Sequence, residues 1–78
     1  MAHMNIIYMV EDGENGMGIN GYAAFSSLEA AQKEALRRRE LYSYKDWAED
    51  RLGIEDNVVE SWASGCDYVS ILRMEVCS

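Results

Sequence analysis

Proline is absent from this 78-residue chain, and the single histidine stands at position 3. Without proline no turn is preset by a locked φ, so chain reversals fall to glycine, asparagine and aspartate. Because the only histidine lies in the N-terminal MAHM, which reads as an expression remnant, no Ser-His or Cys-His pair for nucleophilic catalysis is expected, and Cys66 has no evident base to activate it. Cysteine occurs only at Cys66 and Cys77. If the segment between them is extended at about 3.3 Å per residue, they lie far beyond the roughly 7 Å limit for disulfide-bonded Cα atoms. Free thiols and a reducing compartment are expected. Positive charge is also scarce, with 7 Lys and Arg against 14 Asp and Glu and a net charge of −7. That balance disfavours DNA, RNA and anionic lipid as direct partners and favours basic proteins. No apolar run approaches the roughly 20 residues that span a bilayer, and there is no internal repeat or low-complexity tract.

What is present suffices to fold. The 49% apolar fraction and eight aromatic residues argue against disorder despite the charge. Residues 1–4 (MAHM) read as an expression remnant, which removes His3 from consideration, and residues 5–78 as one domain. A domain this short buries only about 60% of the surface its unfolded chain exposes. It has room for one small core and little for an enclosed substrate cavity, so an enzyme is not expected.

Asn5 to Glu11 (NIIYMVE) and Gly21 to Phe25 (GYAAF) have the composition of two strands, joined by the glycine-rich DGENGMGIN. Ser26 to Glu29 (SSLE) forms a capping box that opens a main helix, with Leu28, Ala31, Ala35 and Tyr42 as its core stripe. Arg37, Arg38 and Arg39 near its C-terminal end suit the helix dipole and read as structural. A second short helix is expected from Ser43 to Gly53, with Tyr44, Trp47, Ala48 and Leu52 on its apolar face. A third is expected from Asp56 to Ala63, burying Val58, Val59 and Trp62. Asp67 to Cys77 (DYVSILRMEVC) reads as a strand with Val69 and Ile71 on one face and Tyr68, Leu72, Met74 and Val76 on the other. Paired antiparallel with the first strand, it completes an α+β fold in ββαααβ order. The fold is a small antiparallel three-stranded sheet packed against one main helix and two short ones, with Phe25, Leu28, Ala31, Ala35 and Ile71 in one core.

Motifs for bound groups fail on inspection. Gly16, Gly18 and Gly21 match G-x-G-x-x-G, but a dinucleotide loop must open a helix, and here the sequence continues as strand. A calcium loop starting at Asp12 would place Met17 at the position that demands glycine and Ala23 at the one that demands a bidentate acid. No catalytic residue, cofactor or metal is expected. The distinctive feature is a one-sided acidic run. Asp46, Glu49, Asp50, Glu55, Asp56 and Glu60 face a single opposing charge, Arg51. On the expected helices these carboxylates line the wet side, and the surface could imitate the phosphates of a nucleic acid or serve only to keep the chain in solution. Trp47 and Trp62 are read as core in preference to interface anchors.

The segment order resembles that of small phage and mobile-element α+β proteins, some of them anti-CRISPR inhibitors. The similarity is carried by Phe25 to Ala31 (FSSLEAA) after a strand and hairpin, by tryptophans among acids from Tyr44 to Trp62, and by the closing strand YVSILRMEV. What the resemblance implies is an inhibitor in the host bacterial cytosol that occupies the basic nucleic-acid channel of a defence protein, such as an RNA-guided nuclease. The matching positions are structural, so the six carboxylates are the expected partner-binding residues. The alternative is an interaction or assembly module whose acidic surface has no partner of its own.

Overall fold

The computed structural model describes residues 4–14, 18–41, 46–49 and 57–77. Among the described residues five strands and one helix follow one another as β1 (Met4–Glu14), β2 (Gly18–Phe25), α1 (Leu28–Glu40), β3 (Ala48–Glu49), β4 (Val58–Ser64) and β5 (Asp67–Cys77). The strands form one antiparallel sheet in the order β2-β1-β5-β4-β3. The expected three-stranded sheet with three helices is therefore corrected to a five-stranded antiparallel sheet with one helix among the described residues.

The reason lies in an ambiguity of spacing. Val58 and Trp62 are four residues apart, a spacing that fits one helical face and equally two strand repeats, although the bulge at Val59 sends the two to opposite faces of the sheet. Cross-strand pairing with β5 decides in favour of strand, with Trp62 opposite Val69 and Val59 forming a bulge between Val58 and Glu60. Ser64 and Gly65, which would follow the expected third helix as its stop, instead belong to a hairpin. Ser64 pairs directly with Asp67, leaving Gly65 and Cys66 as a two-residue hairpin loop. Gly65 has φ +61° while Cys66 stays outside the left-handed region, the φ pattern of a type II′ turn. Of the second expected helix, Ala48 and Glu49 are strand, paired with Ala63 and Trp62. Tyr44, Leu52 and Gly53 lie outside the described residues.

The first and last strands pair over eleven residues, from Met4 opposite Cys77 to Glu14 opposite Asp67. Partners across a sheet share a face, so Val10, Val69 and Ile71 point together toward α1. They meet Ala31 and Ala35, and these five residues are buried and form the core. Tyr8, Phe25, Leu28, Trp47 and Trp62 pack around it. Helix and sheet approach closely because alanine fills the contact. The helix is capped by Ser27, whose Oγ accepts from the Ala30 amide at 3.2 Å. The cap thus sits one residue later than the Ser26-centred box, and Glu29 pairs instead with Lys33 at 3.6 Å.

Gly13 is buried where β1 shifts register against β2. A Cβ there would collide with the Gly18 carbonyl oxygen and come within 3.1 Å of the Tyr68 hydroxyl. Tyr68 is its partner across β5 and covers the place a side chain would take. Gly18 and Gly21, from the apparent nucleotide motif, both lie within β2, whereas that motif requires the start of a helix.

Because β5 is the middle strand, a chain ended after Gly65 loses the partner of both β1 and β4. With only a few kcal/mol of stability in a domain this small, the truncated chain is expected to show no cooperative thermal transition by circular dichroism. A sharp transition would contradict the central place of β5.

Candidate functional site

The six carboxylates of the acidic run are not brought together on helices. Asp50, Glu55 and Asp56 lie outside the described residues. Asp46 is exposed just before β3, Glu49 is exposed on β3 and Glu60 is half-buried on β4. Glu49 lies opposite Trp62, and Glu60 is two residues from Trp62 on the same strand, so these two acids are diagonal neighbours on the helix side, roughly 7–8 Å apart. Glu60 is occupied: it accepts from the Gln32 side-chain amide at 2.9 Å and so ties β4 to the helix. The acids expected on the wet side of two consecutive helices are corrected, where described, to positions before and along two edge-side strands.

The arginines act as sequence reasoning assigned them. Arg37 grips Glu34 through both Nε and Nη2, each at 2.7 Å. Arg38 donates to Glu34 at 2.8 Å and also pairs with Asp12 on β1. Hydrogen bonds from Arg37, supported by Arg38, hold the Glu34 carboxyl down to about 2 against the pull of burial in the other direction. Asp12, near the end of β1, is thereby paired within the fold. The guanidinium of Arg39 lies 3.9 Å from the ring centre of Trp62, and the Trp47 indole N–H donates to the Arg39 carbonyl at 3.1 Å. Partial burial lowers the Arg39 pKa, countered by Glu60 and Glu40. Both tryptophans thus pack against the core, as expected, but from β4 and the segment before β3 and not from the apolar faces of two helices.

The opposite face of the sheet has a different composition. Register places Ile7, Met9, Leu72, Met74, Val76 and Val58 there, continued by Tyr22 and Ile19 on β2. None of the described elements lies over it, since α1 covers the side of Val10 and Ile71. Met74 is 38% exposed, Val76 43%, Ile19 54% and Tyr22 69%. The strand charges divide unequally. Asp12, Glu14, Glu49, Glu60, Asp67, Arg73 and Glu75 share the helix side, and Glu11 alone among the described strand charges points the other way. The polar residues Ser61 and Ser70 on this face satisfy each other through a hydrogen bond of 2.9 Å. Tyr68, toward one end, has its phenol pKa raised by burial and by Glu11 and Asp12. The apolar stripe of β5 was visible in the sequence; its continuation onto β1, β2 and β4 was not, because it depends on register.

Among the described residues no group of three or more His, Cys, Asp or Glu could hold a metal ion. Cys66 is a free, exposed thiol in the β4–β5 turn, and the Cys77 side chain lies outside the described set. No helix among the described residues is long and apolar enough to cross a membrane.

No family model matches the chain, and neither a curated protein nor a solved structure is similar to it. The helix-borne acidic surface expected of a phage-type, anti-CRISPR DNA mimic is corrected to strands where described, and nothing in the comparisons identifies the chain as phage-derived or anti-CRISPR.

The Glu34 cluster carries a pH signature. A carboxyl with a depressed pKa adds stability that is complete above its unfolded value, 4.5, and is lost as pH falls toward about 2. Because the cluster borders solvent, the loss is on the order of 1–2 kcal/mol. Glu34→Gln is expected to be less stable at pH 7 and to lose less on acidification over that window. Urea titrations at several pH values check this, and parallel pH profiles for the two proteins would refute it.

Proposed function

We propose that this chain is a non-catalytic protein-interaction module that docks through the open apolar face of its sheet. The supporting observation is the division of strand charge: seven charged residues surround the helix side, and Glu11 is the one on the other. An antiparallel sheet with one face in water ordinarily alternates apolar-in with polar-out. Here β1 and β5 carry apolar residues on both faces, the pattern of strands covered on both sides. Contiguous exposed apolar surface on this scale marks an association site. The reading follows the interaction-module alternative and transfers the partner surface from the acidic run to Ile7, Met9, Leu72, Met74 and Val76.

Two double variants separate apolar docking from acidic docking. Met74→Glu with Val76→Glu alters the open face at side chains already part-exposed, so the fold is expected to persist. Asp46→Lys with Glu49→Lys reverses two exposed acids of the run, and its circular-dichroism melt is recorded beside that of wild type. In affinity capture with each protein immobilised, the first variant is expected to lose the proteins retained by wild type and the second to keep them. The reverse pattern would refute docking through the apolar face.

A further inference from the structure

We propose that the open face is covered by a second copy of this chain, two sheets stacking face to face about a two-fold axis into a dimer. This rests on the reading of that face as a docking surface and adds the identity of the occupant.

Charge favours this occupant. Each copy carries a net charge of −7, so two copies repel through most of their surfaces, and a basic partner would be drawn to those same surfaces. The open face is where that repulsion is weakest: seven strand charges lie on the helix side, and Glu11 is the described exception. Glu11 also sits toward the Glu14 end of β1, whereas Met74 and Val76 lie toward the Met4 end. A surface that lacks fixed charge selects a partner that also lacks it, and this chain possesses one.

The geometry is of adequate size. Five strands at about 4.8 Å spacing, with the longer ones rising about 3.3 Å per residue, offer roughly 600–700 Å² per copy. Two copies then bury about 1,200–1,400 Å², at the lower end of what a specific, stable interface requires. Sheets stack about 10 Å apart with interdigitating side chains. Ile7, Met9, Leu72 and Met74 are flexible or branched residues of the kind such a layer needs. A two-fold arrangement makes the contact self-complementary, so the same patch serves both partners. Ser61 and Ser70 on this face are already buried in the single chain and hydrogen-bonded to each other at 2.9 Å, so a covering sheet leaves neither hydroxyl without a partner.

Sedimentation equilibrium of the 78-residue chain across a concentration series tests the proposal. Wild type is expected to approach twice its 8.9 kDa mass, more completely as salt rises, because screening weakens like-charge repulsion without weakening apolar contact. Met74→Glu with Val76→Glu is expected to raise the dimer dissociation constant by about 100-fold or more. Leu41→Glu, at the exposed end of the helix, is expected to dimerise as wild type does. Two readouts on wild type stand apart from any folding defect of the variants. The melting temperature should rise with protein concentration, and peroxide oxidation of Met74 should slow as dimer forms.

A monomeric mass with a concentration-independent melting temperature would overturn the proposal. So would a dimer that persists in the double variant, which would place the contact elsewhere, for example on the β2 edge. If the monomeric wild type nevertheless retains another protein that the double variant loses, the second copy is refuted while the docking face stands. If it retains none, both fail.

Discussion

The eleven-residue antiparallel register between β1 and β5 is the constraint on which the other features depend. It sets the parity of both strands, and parity decides which side chains face the helix. With Val10 opposite Ile71, three branched residues converge on Ala31 and Ala35. A slip of one residue would turn Val10 or Ile71 to the other face and present Met9 or Leu72 to the helix. Tyr68 opposite Gly13 reinforces the register, since the ring occupies the space that glycine leaves and no other residue fits beside the Gly18 carbonyl.

The helix binds to this sheet by two unlike means. Alanine at the contact brings the backbones close and buries little side-chain surface, so the apolar core is small. Around it, polar links join the helix to strands on both sides: Arg38 to Asp12 on β1, and Gln32 to Glu60 on β4. The first is a partly buried ion pair and the second an exposed hydrogen bond; each contributes modestly to stability while fixing where the helix lies. They position the helix over β1 and β5 and consume acids that would otherwise have been available for a partner. Among the described residues the helix side thus carries these cross-links and nearly all of the strand charge, while the second face carries the apolar stripe.

Much of the local structure was legible in the sequence. The first strand, the hairpin to GYAAF, the main helix with Ala31 and Ala35 inward, and the two faces of the last strand all follow from periodicity and composition. Three features were not. Val58, Glu60 and Trp62 admit both a helical and an extended reading, and the pairing partner that decides between them is distant in sequence. Gly65 looks like a helix terminator because a left-handed glycine serves helix ends and hairpins equally. The acidic run was legible as charge but not as a surface, because its placement depended on helices that Ala48–Glu49 and Val58–Ser64 do not form. Pairing of Asp12 and engagement of Glu60 depend on residues more than twenty positions away, beyond the reach of pattern.

The strand order has a kinetic implication. The β1–β2 and β4–β5 ladders each join neighbours in sequence, whereas the β1–β5 ladder joins the two ends of the described chain. Local hairpins close at small entropic cost, and the long-range pairing must wait for the intervening chain to be ordered. Two preformed halves therefore meet along a seam, and the helix core is completed only once they do. Until that moment each half exposes an unpaired edge and apolar side chains on both surfaces. Dilution, which keeps half-formed chains apart, is thus the condition under which this fold should assemble most cleanly.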